Sequence, residues 1–192
     1  ARFADETFYV LPVKILGHLR KHFLSLNGAP KAYIGALAFI LLRRDLAIRQ
    51  RLKVLSYFCE AIELGCRLRE SGFSHIHVHF LFGGALIAFF LKKIFNIGYS
   101  ATGHGSDFLV EKFLLEEKVC FSEFVRVGTE YNARCLLKDI GESVREKVKV
   151  IPFGFDIRDK DAWRKRVASQ ISLRSERSRE VRIVNVGRLV WQ

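Results

Sequence analysis

The stretch SHIHVHFLFGGALIAFFLKKIFNIGYSATGHG, residues 74–105, decides the fold. His75–Phe80 alternates with the period of a strand, and Gly83–Asn96 is apolar for the length of a buried helix. Tyr99–Thr102 is a second short strand, running into a glycine-rich turn at Gly103-His104-Gly105. Strand, helix and strand within some thirty residues make a parallel β-α-β unit. The pattern continues downstream: residues 108–119 read as a helix, Phe124–Val127 as a strand, Glu130–Lys138 as a helix and Val148–Ile151 as a strand stopped by Pro152. The expected fold class is α/β, a Rossmann-like parallel sheet with flanking helices.

Working outward, residues 8–26 and 31–43 read as helices separated by Asn27-Gly28-Ala29-Pro30. Residues 45–70 read as one long helix, with Leu46, Ile48, Leu52, Leu55, Phe58, Ile62 and Leu68 at roughly helical spacing and Ser71-Gly72 at its end. On the other side, residues 158–180 are polar and Ser-rich, and Val181–Val186 begins a fresh buried strand before Gly187-Arg188. This organisation implies a first domain over 1–157 with a helical segment over 1–72. A linker over 158–180 and the first strand of a second domain over 181–192 follow. The chain begins at Ala1, contains no Met, and stops at Gln192 just after a strand pattern, so it reads as a piece of a longer protein.

The net charge of +12 is unevenly spread. Residues 1–74 carry 12 basic and 6 acidic side chains, residues 75–157 carry 10 of each, and residues 158–192 carry 10 and 4. A nucleic-acid interface would set basic residues beside aromatics on one docking face, and the neutral centre has no such cluster. Nucleic acid is therefore not the expected partner. Basic flanks suit an anionic membrane surface, a phosphate-bearing ligand, or plain solvated surface. Cys59, Cys66, Cys120 and Cys135 form no CxxC pair and read as reduced, buried thiols of a cytosolic chain. Cys59 and Cys66, two helical turns apart, share a helix face. The longest apolar runs fall well short of the roughly 20 residues that span a bilayer.

Parallel sheets bind ligands beyond the carboxyl ends of their strands. Here those ends carry His79–Phe82, Thr102–Asp107, Gly128–Asn132 and Pro152–Asp156. His75, His77 and His79 share one face of a strand. Three in line at roughly 7 Å spacing do not converge on one metal without bending, and no second motif completes such a site. His18 and His22 stand one helical turn apart, but the local sequence offers Arg20 and Lys21 and no carboxylate. His104 between Gly103 and Gly105 sits where positive φ would let backbone approach a ligand, and imidazole exchanges hydrogen bonds with hydroxyls near neutral pH. Asp107 opens the following helix, where a carboxylate suits the dipole or caps the end. Gly154 follows the last of these strands, and Arg188 is placed to hold a diphosphate bidentately.

Taken in order, these motifs resemble glycosyltransferase family 4, the large retaining group with the GT-B architecture. His77 and His79 match its H-x-H strand end, and Thr102 with His104-Gly105-Ser106-Asp107 matches T-x-H-G-x-D. Thr129 and Asn132 match T/S-x-x-N, Val148–Asp156 matches V-x-V-I-P-x-G-x-D, and Val186–Leu189 matches V-G-R-L. The match covers about residues 75–157 and 181–190, and the helical segment before it resembles the bacterial exopolysaccharide and lipopolysaccharide branch. The resemblance implies the N-terminal, acceptor-side part of a GT-B fold and sugar transfer from a nucleoside-diphosphate donor to a glycan or lipid-linked acceptor. It implies His104 as the catalytic residue and Gly103, Gly105, Asp107, His79, Thr129, Asn132 and Gly154 around the substrate. Arg188 would lie on the donor diphosphate, with no metal and no cofactor. A cytoplasmic protein touching the inner membrane face fits the acceptor class. Two features depart from the family: its first glycine-rich loop is not visible, and its Lys after G-R-L and its paired-Glu motif lie beyond Gln192. The chain by itself is thus expected to be inactive and to bind donor weakly. A GT-B epimerase and a metal-dependent hydrolase built on His75, His77 and His79 are the alternative readings.

Overall fold

The structure, a computed structural model, describes residues 9–10, 15–110, 112–154, 161 and 164–169. The chain divides into two compact units, Ala1–Pro152 and Phe153–Gln192. In the second unit the described part is short, with helical backbone over residues 164–169. The strand expected over Val181–Val186 lies outside the described residues.

The first unit is built on four strands, β1 (His75–His79), β2 (Gly98–Gly103), β3 (Val125–Val127) and β4 (Val148–Val150). All pair in parallel in the order β1-β2-β3-β4, so the unit is an α/β domain with an all-parallel sheet. Each strand moves one place in the same direction, and right-handed crossovers then put the connecting helices on a single face. The side chains agree. Ile76, Val78, Tyr99, Ala101, Val125, Val127, Val148 and Val150 form the apolar face, packed within the two core clusters. The paired register places His75, His77 and His79, Ser100 and Thr102, Arg126, and Lys149 together on the opposite face. The order contains no reversal, so no topological switch point lies among the described strands.

Helix α1 (Ile15–Gly28) meets α2 (Pro30–Leu41) at a bend of 114°, where the Asn27–Pro30 break was expected. Helix α3 (Ile48–Glu70) ends at Gly72, whose φ of 73° is the left-handed geometry a side chain disfavours. Its buried stripe is Val54, Phe58, Ala61, Ile62 and Gly65, whereas Ile48 and Leu52 are exposed, against the helical face read from sequence. Helix α4 (Gly83–Phe95) follows β1 and is buried along most of its length, sandwiched between the sheet and the α1–α3 layer. Contact with α3 is intimate: a Cβ added at Gly65 would meet the Phe95 ring at 2.2 Å.

The single helix expected over 108–119 is two, α5 (Gly105–Leu109) and α6 (Leu115–Cys120). Leu114 takes a left-handed conformation (φ 49°) between them and restarts the chain in a new direction. Helix α7 (Glu130–Ile140) and a 3₁₀ turn over Glu142–Lys147 lead into β4. Among the described residues no single helix is long and apolar enough to cross a membrane. The α1–α2 pair reaches the length and composition only across its bend.

Candidate functional site

The carboxyl ends of β1 and β2 lie side by side, because His79 pairs in register with Thr102. That register brings His79, Phe80 and His104 together. The His79 and His104 rings meet edge to face at 4.8 Å, and the Phe80 ring lies 4.4 Å from that of His104. Phe80 also stacks parallel on Phe82 at 5.9 Å.

Phe80 is the unexpected member. Its φ of 74° is an outlier for a bulky side chain. Its amide still donates to the Thr102 carbonyl at 2.9 Å, so the strand end is held while the ring is turned toward His104. Conformations of this kind cost of order 1–3 kcal/mol and cluster at ligand-binding and active sites. The ring stays 38% exposed, so burial does not account for the strained backbone.

His104 caps the start of α5 in extended conformation (φ −115°). Its backbone N–H donates to Asp107 Oδ2 at 2.7 Å, and the Asp107 amide donates back to the His104 carbonyl at 2.9 Å. Asp107 is fully buried and serves as the cap that fixes the His104 backbone. Burial pushes its carboxyl above the ordinary value; the His104 and Leu81 amides and the nearby His104 and Lys118 charges work against that rise. Asp107 Oδ1 has no hydrogen-bond partner among the described residues. Lys118, 1% exposed, reaches under the strand end and donates Nζ to the Leu81 carbonyl at 2.5 Å. A buried lysine and a buried aspartate thus brace the segments that present Phe80 and His104.

The glycines beside His104 behave differently from expectation. Neither Gly103 nor Gly105 adopts positive φ. Gly103 matters for space instead, since a Cβ there would press on Leu81 at 3.2 Å. At Gly105 a Cβ would make only ordinary contact, 3.6 Å from Leu109.

Two of the strand histidines, His75 and His77, are hydrogen-bonded across to β2. His77 shares hydrogen bonds with Ser100 Oγ through Nδ1 at 2.8 Å and with Thr102 Oγ1 through Nε2 at 2.9 Å. His75 Nε2 reaches the same Ser100 hydroxyl at 3.0 Å. Burial lowers the pKa of His77, reinforced by the charges of His79, His75 and Arg126. Burial also lowers that of His104, reinforced by His79 and Arg126 and opposed by Asp107. Both rings are therefore neutral at pH 7, each with one donor and one acceptor nitrogen.

The remaining expected site residues fall elsewhere. Thr129 is the N-cap of α7, its hydroxyl accepting from the Asn132 amide at 3.1 Å, so the T-x-x-N pattern is a helix start. Gly154 belongs to the second unit and is exposed, with nothing within 4 Å of where a Cβ would be. Arg188 and Asp156 lie outside the described residues. Away from the sheet, His18 does have a carboxylate beside it: Glu63, supplied from α3 across the helix interface, lies 3.3 Å from its Nδ1. Sequence reasoning confined to neighbours in the chain missed it. Lys118 was hidden within an ordinary charged helical stretch, while Phe80 and Phe82 fell within the His79–Phe82 strand end with no role of their own assigned.

Comparison with protein-family models, with curated proteins and with solved structures gives no match.

Proposed function

We propose that this chain is the acceptor-side part of a retaining glycosyltransferase of GT-B architecture, acting on a nucleoside-diphosphate sugar. The observation that carries the reading is the meeting of His79, a strained Phe80 and a neutral His104 at the carboxyl ends of two adjacent parallel strands. It is joined by the ordered strand-end motifs of the sequence. A neutral imidazole accepts a hydrogen bond from a sugar hydroxyl or donates one to it. The exposed Phe80 ring offers an apolar surface to the C–H side of a sugar ring, the usual division of labour in a ligand site.

In this reading His104 orients the reacting hydroxyl or the transferred sugar and stabilises charge as it develops. Asp107 and Lys118 act as positioning residues, holding backbone rather than touching substrate. Donor diphosphate contacts are assigned to Arg188 by the V-G-R-L motif of the sequence. The chemistry asked of these residues involves no metal. A lipid-linked acceptor would suit α1, where Leu16, Leu19 and Phe23 are exposed beside Arg20 and Lys21.

The test is sugar transfer from a panel of nucleoside-diphosphate sugars by the protein that carries this chain, with and without glycan and lipid-linked acceptors. His104→Ala is expected to lower turnover about a hundred-fold or more, with unchanged circular dichroism. Near-normal turnover in that variant overturns the role of His104. Donor conversion that needs no acceptor and yields an altered free sugar nucleotide replaces the transferase reading with an epimerase.

A further inference from the structure

We propose that His18, His22 and Cys59 form a zinc-binding site that clips α1 to α3. His18 and His22 are one turn apart on α1, and their Nε2 atoms face each other at 3.1 Å. Cys59 comes from α3, and its Sγ and one ring nitrogen of each histidine all lie within 4.8 Å of one another. Around a tetrahedral zinc, nitrogen and sulfur ligands stand about 3.3–3.6 Å apart. Closure therefore asks for side-chain movement of about an ångström at most. Two imidazoles and one thiolate are a donor set that borderline-soft metals prefer.

The outer partners are those a metal site requires. A ligating histidine holds its second nitrogen to an oxygen, which fixes the ring and its tautomer. His18 Nδ1 lies 3.3 Å from Glu63 Oε2, and Glu63 is itself paired with Lys21. His22 Nδ1 lies 2.7 Å from the Tyr33 hydroxyl. The two Nε2 edges thus face each other within one turn of α1. Tyr33 and Phe58 wall the site, with rings 5.9 and 5.7 Å from that of His22.

Without metal the same groups close a hydrogen-bonded chain. Tyr33 donates to His22 Nδ1, His22 Nε2–H donates to His18 Nε2, and His18 Nδ1–H donates to Glu63. Cys59 stands outside that chain, partly buried against the core cluster. On binding, the Cys59 thiol gives its proton to solvent as the metal–sulfur bond forms. The His22 proton moves from Nε2 to Nδ1, so that Tyr33 becomes the acceptor. Zinc takes four ligands, and water supplies the fourth.

The experiment is titration of the purified, chelator-treated chain with cobalt and then zinc. The expected result is one ion per chain, a thiolate-to-cobalt charge-transfer band with tetrahedral d–d absorption, and displacement of cobalt by zinc. Cys59→Ser should abolish the charge-transfer band and weaken zinc by more than about a hundred-fold, and Glu63→Gln should weaken it about ten- to a hundred-fold. Cys66→Ser, one residue type and two turns further along the same helix, should change nothing. Should Cys59→Ser fail to fold, alkylation of the wild-type chain decides. Zinc should protect Cys59 and leave Cys66 as reactive as before. Absence of stoichiometric metal, or a charge-transfer band that survives loss of Cys59, or equal alkylation of Cys59 with and without zinc, overturns the site.

Discussion

All six histidines of the chain fall into two groups, and the groups are built on different periods. His75, His77 and His79 follow one another at every second position of a strand, with His104 joining from the neighbouring strand end. His18 and His22 stand four apart on a helix. The strand period spaces side chains on one face roughly 7 Å apart, so the rings meet groups around them rather than one another's nitrogens: His75 and His77 share Ser100, His77 also takes Thr102, and His79 meets Phe80 and His104. The helical period stacks side chains one above the other, which brings two ring nitrogens to 3.1 Å. A conspicuous histidine run is thus a poor metal site and a good polar surface, whereas an inconspicuous pair carries the metal-ligand geometry.

The comparison breaks most visibly at two phenylalanines. Phe58, 1% exposed, packs on His22, Tyr33 and Phe90 behind the helix pair. Phe58→Ala should cost about 3–5 kcal/mol in denaturant unfolding. Phe80 packs on the sheet histidines but occupies a strained backbone. Phe80→Gly should shift stability by no more than about 1 kcal/mol, since relief of strain offsets lost contact, while weakening substrate binding. Equal losses at the two positions would remove the argument that Phe80 is held for binding.

A smaller effect is expected at His77. Its ring is the hydrogen-bond partner of Ser100 and Thr102, which are 2% and 5% exposed. His77→Ala strands the Thr102 hydroxyl and leaves Ser100 to His75 alone, at about 1–3 kcal/mol, and His77→Gln, which keeps a donor and an acceptor, should lose less. Similar losses for both would show that the ring acts by volume alone.

The gentlest test is pH. Burial lowers the pKa of His22, His77 and His104, with histidine neighbours adding to the effect in each case. In the unfolded chain such rings take up protons near 6.5. In the fold they do so only at lower pH. Stability is therefore full above about 6.5, falls as pH drops through the window below it, and levels off once the folded rings are protonated as well. Unfolding midpoints measured across that range should show the decline, shallower in His77→Gln. Zinc would steepen it, since protons compete for His22. A flat profile contradicts the neutral rings.

Much of the architecture was legible because its signals are local. Alternation marked β1, continuous apolarity marked α4, and Ser71-Gly72 and the Asn27–Pro30 break marked helix ends that the structure reproduces within a few residues. What stayed hidden depends on partners distant in sequence. The face of α3 is chosen by α4, so Gly65 is buried against Phe95 while Ile48 and Leu52 face outward. The break at Leu114 carries no glycine or proline to announce it. At the candidate site, His79, His104 and Asp107 were readable from strand-end position. Asp107 proved to be a buried cap, Thr129 a helix cap, and the flanking glycines ordinary in backbone. Phe80 and Lys118 were not readable, because one owes its role to a dihedral angle and the other to burial beneath a loop.

The unreversed strand order has a consequence for how the domain is assembled. Register partners are His75 with Gly98, Ala101 with Val125, and Val125 with Val148, which are 23, 24 and 23 positions apart. Each new strand thus closes a loop of nearly the same length, at nearly the same entropic cost. Among the described strands none has to wait for a distant partner, as one does where a sheet is wound outward from its middle. A chain emerging from the ribosome at its N-terminal end can add one strand at a time in the order of synthesis. Every pairing among the described strands is short in sequence, which favours rapid folding for a parallel sheet.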